Sequence, residues 1–171
     1  MTTPSPLIPT MLAPRTVAES ATHMSELVLP QHANAVGTAF GGTIMSWIDI
    51  CGAICAQRHA GRVAVTAFVD DIEFVAPIRV GDVVVLDAHL TAAFRSSMEV
   101  EVSVEREDTV SRTRTRCVDA RLTFVQLDEY GRAIPVPPLV SSSDREKADA
   151  HAAEVRRKAR LAAKAEKRAS R

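Results

Sequence analysis

Between residues 98 and 105 the chain alternates with a period of two. Met98, Val100, Val102 and Val104 fall on one face, and Glu99, Glu101, Ser103 and Glu105 on the other, as expected of a strand with one buried face. Less regular versions of the pattern surround it. Residues 25–29 form a short apolar run closed by Pro30. Residues 62–69 alternate, with Val63, Val65, Ala67 and Val69 sharing a face. Residues 74–78 are a second short run, broken at Pro77, and Gly81-Asp82 reads as a turn. Residues 83–94 form a long, largely apolar strand ended by the turn Arg95-Ser96-Ser97. Residues 112–127 form the last long strand. Its Arg112, Arg114 and Arg116 share a face, and antiparallel pairing sets them opposite the glutamates, which helps to fix the register. Apolar parity shifts after Cys117, which implies a bulge or burial on both faces.

One stretch breaks the period of two. Residues 34–61 begin as a loop at Asn34 and become a helix from about Gly42 to His59. This helix is apolar on nearly every side, with Asp49 in its middle. Gly61 stands where a helix ends in a left-handed residue. A helix this apolar must be covered on nearly every side. Interrupted by Gly42, Asp49 and Gly52, it is no membrane span, which needs ~20 apolar residues. The element order is one strand, one long buried helix, then strands joined by short turns. It predicts an α+β fold in which an antiparallel sheet wraps one central helix. Such a sheet leaves an edge and part of the helix bare, so a partner subunit is expected to cover them.

Composition adds boundaries. The chain has 171 residues, with 21 Lys and Arg against 21 Asp and Glu, as expected of one domain with tails. Residues 1–21, with four prolines and no continuous apolar core, read as a flexible arm, neither a signal peptide nor a membrane helix. Residues 22–140 hold the folded domain. Residues 141–171 carry 10 Lys and Arg against 5 acids. That basic tail has an apolar stripe that is mostly alanine, so a frayed helix or disorder is expected, with neither end needed for folding. Three cysteines and the lack of a leader point to the cytoplasm.

Asp49 is the leading candidate for chemistry. Met45, Gly52, Ala53 and Ala56 are its neighbours on the helix surface, and the small ones leave room beside its carboxylate. Gly41-Gly42 sits where the loop enters the helix, and free amides there favour an anion or a developing oxyanion. Asn34 supplies a polar group in the preceding loop. Cys51, Cys55 and His59 form a row, but eight helical residues rise ~12 Å, too far for one metal ion. They read as core cysteines and a helix-terminal histidine. The chain contains no serine elbow, phosphate loop or dinucleotide fingerprint.

Asn34-x-x-Gly37, Gly41-Gly42, Trp47-Ile48-Asp49, the run from Ser97 to Val102, and Ile134-Pro135-Val136-Pro137 occur in the order that resembles the hotdog-fold acyl-CoA thioesterases, in particular the cytosolic acyl-CoA hydrolases. The resemblance spans residues 24–140. It implies a sheet wrapped around one helix, dimers joined edge to edge, a hexamer built as a trimer of dimers, and hydrolysis of acyl-CoA to fatty acid and CoA. It also implies a catalytic pair, Asn34 and Asp49, meeting across the dimer interface, with the Gly42 amide as oxyanion donor. No cofactor or metal is expected, since CoA is part of the substrate and its thiolate leaves readily. Gly41 is expected to line the substrate site. Arg58, Arg62, Arg95, Ser96 and Ser97 are candidates for the CoA phosphates by charge and chain position. Two other classes stay open: a hotdog hydratase or dehydratase, and a non-catalytic acyl-CoA sensor. Nucleic acid is not an expected partner.

Overall fold

The computed structural model describes residues 12–170. A two-residue strand, β1 (Arg15–Thr16), leads into a one-turn helix, α1 (Val17–Ser20), and the strand β2 (Thr22–Leu27). The long helix α2 (Gly41–Ala60) follows, then β3 (Ala64–Phe74), β4 (Val83–Ala93), β5 (Ser97–Asp108) and β6 (Thr113–Gln126). A short β7 (Leu139–Val140) and a second long helix, α3 (Asp144–Ala169), complete the chain. The main sheet is antiparallel throughout, in the order β2-β4-β5-β6-β3.

The central helix lies against one face of this sheet, as its all-round hydrophobicity requires. Ile44, Trp47, Ile48, Cys51 and Cys55 are buried in one core with Val100, Val102, Leu122 and Phe124. Gly52 permits the close approach. A Cβ there would stand 3.0 Å from the Phe124 ring and 3.5 Å from Val102. Gly61 takes φ 69° and ends α2 as expected, its amide bonding Gln57 O. The sheet covers only part of the helix. Met45, Ile50 and Ile54 remain exposed within one chain, and so do Val65, Phe68, Val69 and Phe74 along β3, whose outer edge is unpaired among the described residues.

The register explains where the alternation misleads. Residues 62–69 and 74–78 are not two strands; β3 runs unbroken from Ala64 to Phe74. Its pairing with β6 slips between Thr66 and Phe68 and again between Val69 and Asp71. Each slip inserts a residue and reverses the facing of the residues after it, so the sequence reads as interrupted. The parity shift after Cys117 is a bulge. Glu105 pairs with Arg116 and Val104 with Val118, leaving Cys117 between them. The arginine–glutamate matching holds only in part. Arg114 bonds Glu107, Arg116 turns to Asp119, and Arg112 sits in the β5–β6 turn at φ 58°.

Both tails depart from expectation. Residues 12–21 are ordered: β1 pairs in parallel with β7, and Arg15 donates to Arg58 O (2.6 Å) and His59 O (2.8 Å). A helix leaves its last carbonyls without partners, and a cation there both bonds them and answers the helix dipole. The arm before Leu12 lies outside the described residues. The basic tail forms α3, begun by a capping box in which Glu146 N donates to Ser143 Oγ and Ser143 N to the Glu146 carboxylate. The alanine stripe foretold little burial, and indeed only Ala153 is buried. What holds the helix is charge. Arg156 donates to Glu99, which is fully buried, and Arg160 to Asp70. Among the described residues no helix is long and apolar enough to cross a membrane.

Candidate active site

Helix α2 starts at Gly41 because Phe40 is extended and its carbonyl takes the first helical amides, Thr43 N and Ile44 N. The Gly41 and Gly42 amides precede that first bond and have no backbone acceptor among the described residues. The loop before them is held by Asn34. Its Oδ1 accepts from Val36 N (3.0 Å) and Thr38 N (3.2 Å), and its Nδ2 donates to Thr38 Oγ1 (2.8 Å). Such Asx turns fix both the loop and the side chain. Gly37, at φ 77°, supplies the left-handed residue the turn needs. Asn34, Thr38, Gly41 and Ile44 then border a cavity of about 410 Å³ closed by residues 74–78.

Asp49 does not line that cavity. It lies two turns further along α2, half-buried, on the side the sheet leaves bare, and accepts a hydrogen bond from Thr66 Oγ1 of β3. Thr66 is the residue the sequence pattern does not single out. It is the only hydroxyl in the alternating run 62–69, the one available signal. Within one chain, then, Asn34, Gly41 and Gly42 form one constellation at the helix start, and Asp49 with Thr66 forms another beside the unpaired edge of β3.

The remaining candidates separate. Arg58 and Arg62 lie at the far end of α2, about 24 Å along the axis from Gly42. The Arg58 guanidinium is occupied there, donating to Ala21 O (3.0 Å) and Thr22 Oγ1 (3.1 Å). Arg95 and Ser96 occupy the β4–β5 turn, and Ser97 opens β5 and faces α3. The cysteine row is core. Burial pushes the Cys51 thiol up to about 11 and the Cys55 thiol up to about 12, so neither offers a thiolate near neutrality. His59 is fully buried, and desolvation lowers its pKa. Its Nε2 donates to Pro137 O at 2.9 Å. Among the described residues no group of three His, Cys, Asp or Glu is placed to hold a metal ion.

An antiparallel sheet holding one long helix, with a glycine pair at the helix start and an acid on its bare side, defines a hotdog fold of the thioesterase type. The family model described as the thioesterase superfamily matches residues 36–112. The Bacillus subtilis acyl-CoA thioester hydrolase YkhA is 39% identical over 128 residues, covering 75% of this chain and 74% of that protein. The human cytosolic acyl coenzyme A thioester hydrolase is 38% identical over 136 residues, 78% of this chain but 36% of that longer protein. An acyl-CoA hydrolase from Staphylococcus aureus, solved with butyryl coenzyme A, coenzyme A and coenzyme A disulfide, superposes with a TM-score of 0.84 at 35% identity, covering 91% of this chain and 95% of that one. That enzyme is also solved as alanine variants of an aspartate, an asparagine and a threonine. A hexameric acyl-CoA thioesterase superposes with a TM-score of 0.85 at 34% identity, over 90% of this chain and 99% of that one. The chain belongs to the thioesterase superfamily, and within it to the hotdog-fold acyl-CoA thioesterases.

Proposed function

We propose that the protein hydrolyses acyl-CoA thioesters to a fatty acid and CoA at sites built between two subunits. Asp49 takes a proton from water as the water attacks the thioester carbonyl carbon. The oxygen that becomes negative is met by the Gly42 amide of the partner subunit, at the start of its α2, where the helix dipole adds to the hydrogen bond. Asn34 of the partner subunit orients the water or the carbonyl. Thr66 holds the Asp49 carboxylate in place. Collapse of the tetrahedral adduct breaks the C–S bond, and the departing CoA thiolate recovers the proton from Asp49. The thiolate is a good leaving group, so the step needs no metal or cofactor.

The observation that carries this reading is the division of the site. Asn34 and Gly41 border one cavity, while Asp49 and Thr66 face outward beside an apolar strand edge that is unpaired among the described residues. Edge-to-edge pairing of two β3 strands would satisfy that edge and cover Met45, Ile50 and Ile54. The asparagine, aspartate and threonine replaced in the Staphylococcus aureus enzyme are separated along its chain by the same intervals as Asn34, Asp49 and Thr66. The hexameric relatives favour a trimer of such dimers, and the cytosolic relative favours a cytoplasmic setting.

The test is release of free thiol from acyl-CoA by the purified protein, and its loss in Asp49→Ala. A positioned general base contributes ~100- to 10,000-fold. Binding of acyl-CoA with no thiol release would leave an acyl-CoA sensor; hydration of an enoyl-CoA would leave a hydratase.

A further inference from the structure

Helix α3 crosses the face of the sheet opposite α2, and its anchors give it a heading. Arg156 holds Glu99 on β5; one turn later Arg160 holds Asp70 on β3 and lies over the Phe68 ring at 5.1 Å. In the strand order β2-β4-β5-β6-β3 the helix is therefore moving toward the β3 edge. It does not stop there. Residues 161–169 continue it for roughly 14 Å. Neighbouring strands stand about 4.8 Å apart, so this length carries the helix past the last strand of its own sheet. Every residue from Leu161 to Ser170 is exposed, and among the described residues none of their side chains bonds to the sheet. Between α3 and the sheet a groove of about 910 Å³ stays open. Its lining is mixed: Leu161, Lys164 and Lys167 on the helix side, Phe68, Asp70 and Asp71 on the strand side.

We infer that residues 161–169 form a strap that reaches over the β3 edge onto the outer face of the partner's sheet, so that each subunit of the dimer clasps the other. The inference rests on the edge-to-edge dimer of the proposed function. Three observations select a second copy of this chain as the occupant. First, the overhang leaves the sheet at the edge where that copy is placed, so the contact is continuous with the strand junction. Second, the charges match. Lys164, Lys167 and Arg168 have no acidic partner among the described residues, while the edge strand presents exposed Asp71 and Glu73. Asp71 lines the groove, and Glu73 follows it by two residues with no slip in register, so both face the α3 side. Asp71 has only a 4.0 Å approach from Arg121, and Glu73 has no cation within reach among the described residues. A two-fold axis brings the same acidic strip to each overhang, as a self-complementary contact requires. Third, Leu161 and Phe68 are half-exposed at the rim of the groove, and a second sheet beside β3 covers both. The strap thus adds to the grip that keeps the Asn34 loop of one chain beside Asp49 of the other.

Deleting residues 161–171 tests the strap, because Arg156 and Arg160 keep the rest of α3 docked. Sedimentation and activity are followed on dilution. The truncated chain should need about thirtyfold more protein to stay dimeric, as two exposed ion pairs in each of two straps imply. Its activity per dimer should equal that of the wild type, and added salt should weaken the wild-type dimer more than the truncated one. Carbodiimide coupling, which needs no variant, locates the contact. In a re-equilibrated mixture of isotope-labelled and unlabelled subunits, Lys164 or Lys167 should be joined to Asp71 or Glu73 in peptides that carry both isotopes. Coupling only within one isotope, or no coupling at these residues, overturns the inference. So does a truncated chain that holds its dimer on dilution as well as the wild type does. A raised KM for acyl-CoA in that chain would make the overhang a substrate contact, and lost retention of duplex DNA would make it a nucleic-acid contact. A wild type that sediments as a monomer at every concentration defeats the edge-to-edge dimer and the strap with it, whereas a dimer with unmixed isotopes defeats the strap alone.

Discussion

Replacing Arg156 with alanine should destabilise the protein by about 3 kcal/mol. The Glu99 side chain is 0% exposed, and its oxygens accept from Arg156 Nη2 at 2.6 Å and Nε at 3.3 Å. Arg156 is the only cation that bonds it among the described residues. Attraction between the two holds the Arg156 guanidinium above its ordinary pKa. Removing one partner of a buried pair costs ~3–5 kcal/mol, because the other is left charged in a dry site. The lower end applies here, since Thr91 Oγ1 still donates to Glu99 Oε1 at 2.8 Å and Arg156 itself is 30% exposed. For a chain of this length the melting temperature should fall by roughly 6–12 °C. Urea unfolding at fixed protein concentration gives the free energy directly. The double variant Glu99→Leu, Arg156→Leu should lie close to the wild type, because a buried ion pair contributes little over an apolar pair. A single variant within about 0.5 kcal/mol of the wild type, or a double variant as unstable as the single, would refute this account. The same reasoning reverses the expectation that residues 143–171 are dispensable: deleting them leaves Glu99 and Asp70 without their arginines.

Other outcomes rest on the same kinds of contact. His59 has a depressed pKa in the fold, so the unfolded chain takes up its proton first and stability drops as pH falls below about 6.5; His59→Gln should flatten that part of a stability-versus-pH curve, as urea titrations at stepped pH would reveal. Arg15→Ala should cost about 1 kcal/mol in thermal unfolding by freeing the last carbonyls of α2. Asn34→Ala and Asp49→Ala should each be inactive yet folded. Their re-equilibrated mixture should regain about a quarter of the wild-type rate, since half the dimers are mixed and each mixed dimer has one intact site; no recovery despite proven subunit exchange would place both residues in one site within a chain.

The sequence made the helix and most of the sheet legible because burial there is regular. α2 is apolar all round, β5 alternates cleanly, and Cys117 betrays its bulge through a parity shift that covers many residues. It hid β3, where two bulges within five residues leave no run long enough to count. It also hid the docking of α3 and the order of residues 12–21, and for one reason: both are held by single arginines on specific acids or carbonyls. A periodicity count registers buried area and is blind to a guanidinium that meets a carboxylate from a strand 57 residues away. At the site, Asn34, the glycine pair and Asp49 stand out as polar or glycine residues in an apolar stretch. Thr66 does not, because a threonine is ordinary in a strand.

The spacing of those residues on α2 bears on how a subunit contributes to catalysis. Gly42 and Asp49 are seven residues apart, about 10 Å along the helix axis. A base and an oxyanion donor acting on one carbonyl must both come within about 3 Å of the reacting atoms. The Asp49 carboxylate is also turned to Thr66, toward the strand edge, and the cavity bordered by Asn34 and Gly41 does not include it. Neither constellation is therefore a site by itself. In the proposed dimer a second copy across the β3 edge would bring an asparagine loop to the open side of α2, and the surface it would cover is the surface that hydrophobicity alone says should not face water: Met45, Ile50, Ile54 and the outer residues of β3. The exposed apolar residues of α2 and the Asp49 carboxylate thus lie on the same side of the same helix, so under the proposed mechanism a subunit would cover its apolar face and complete its site in the same step.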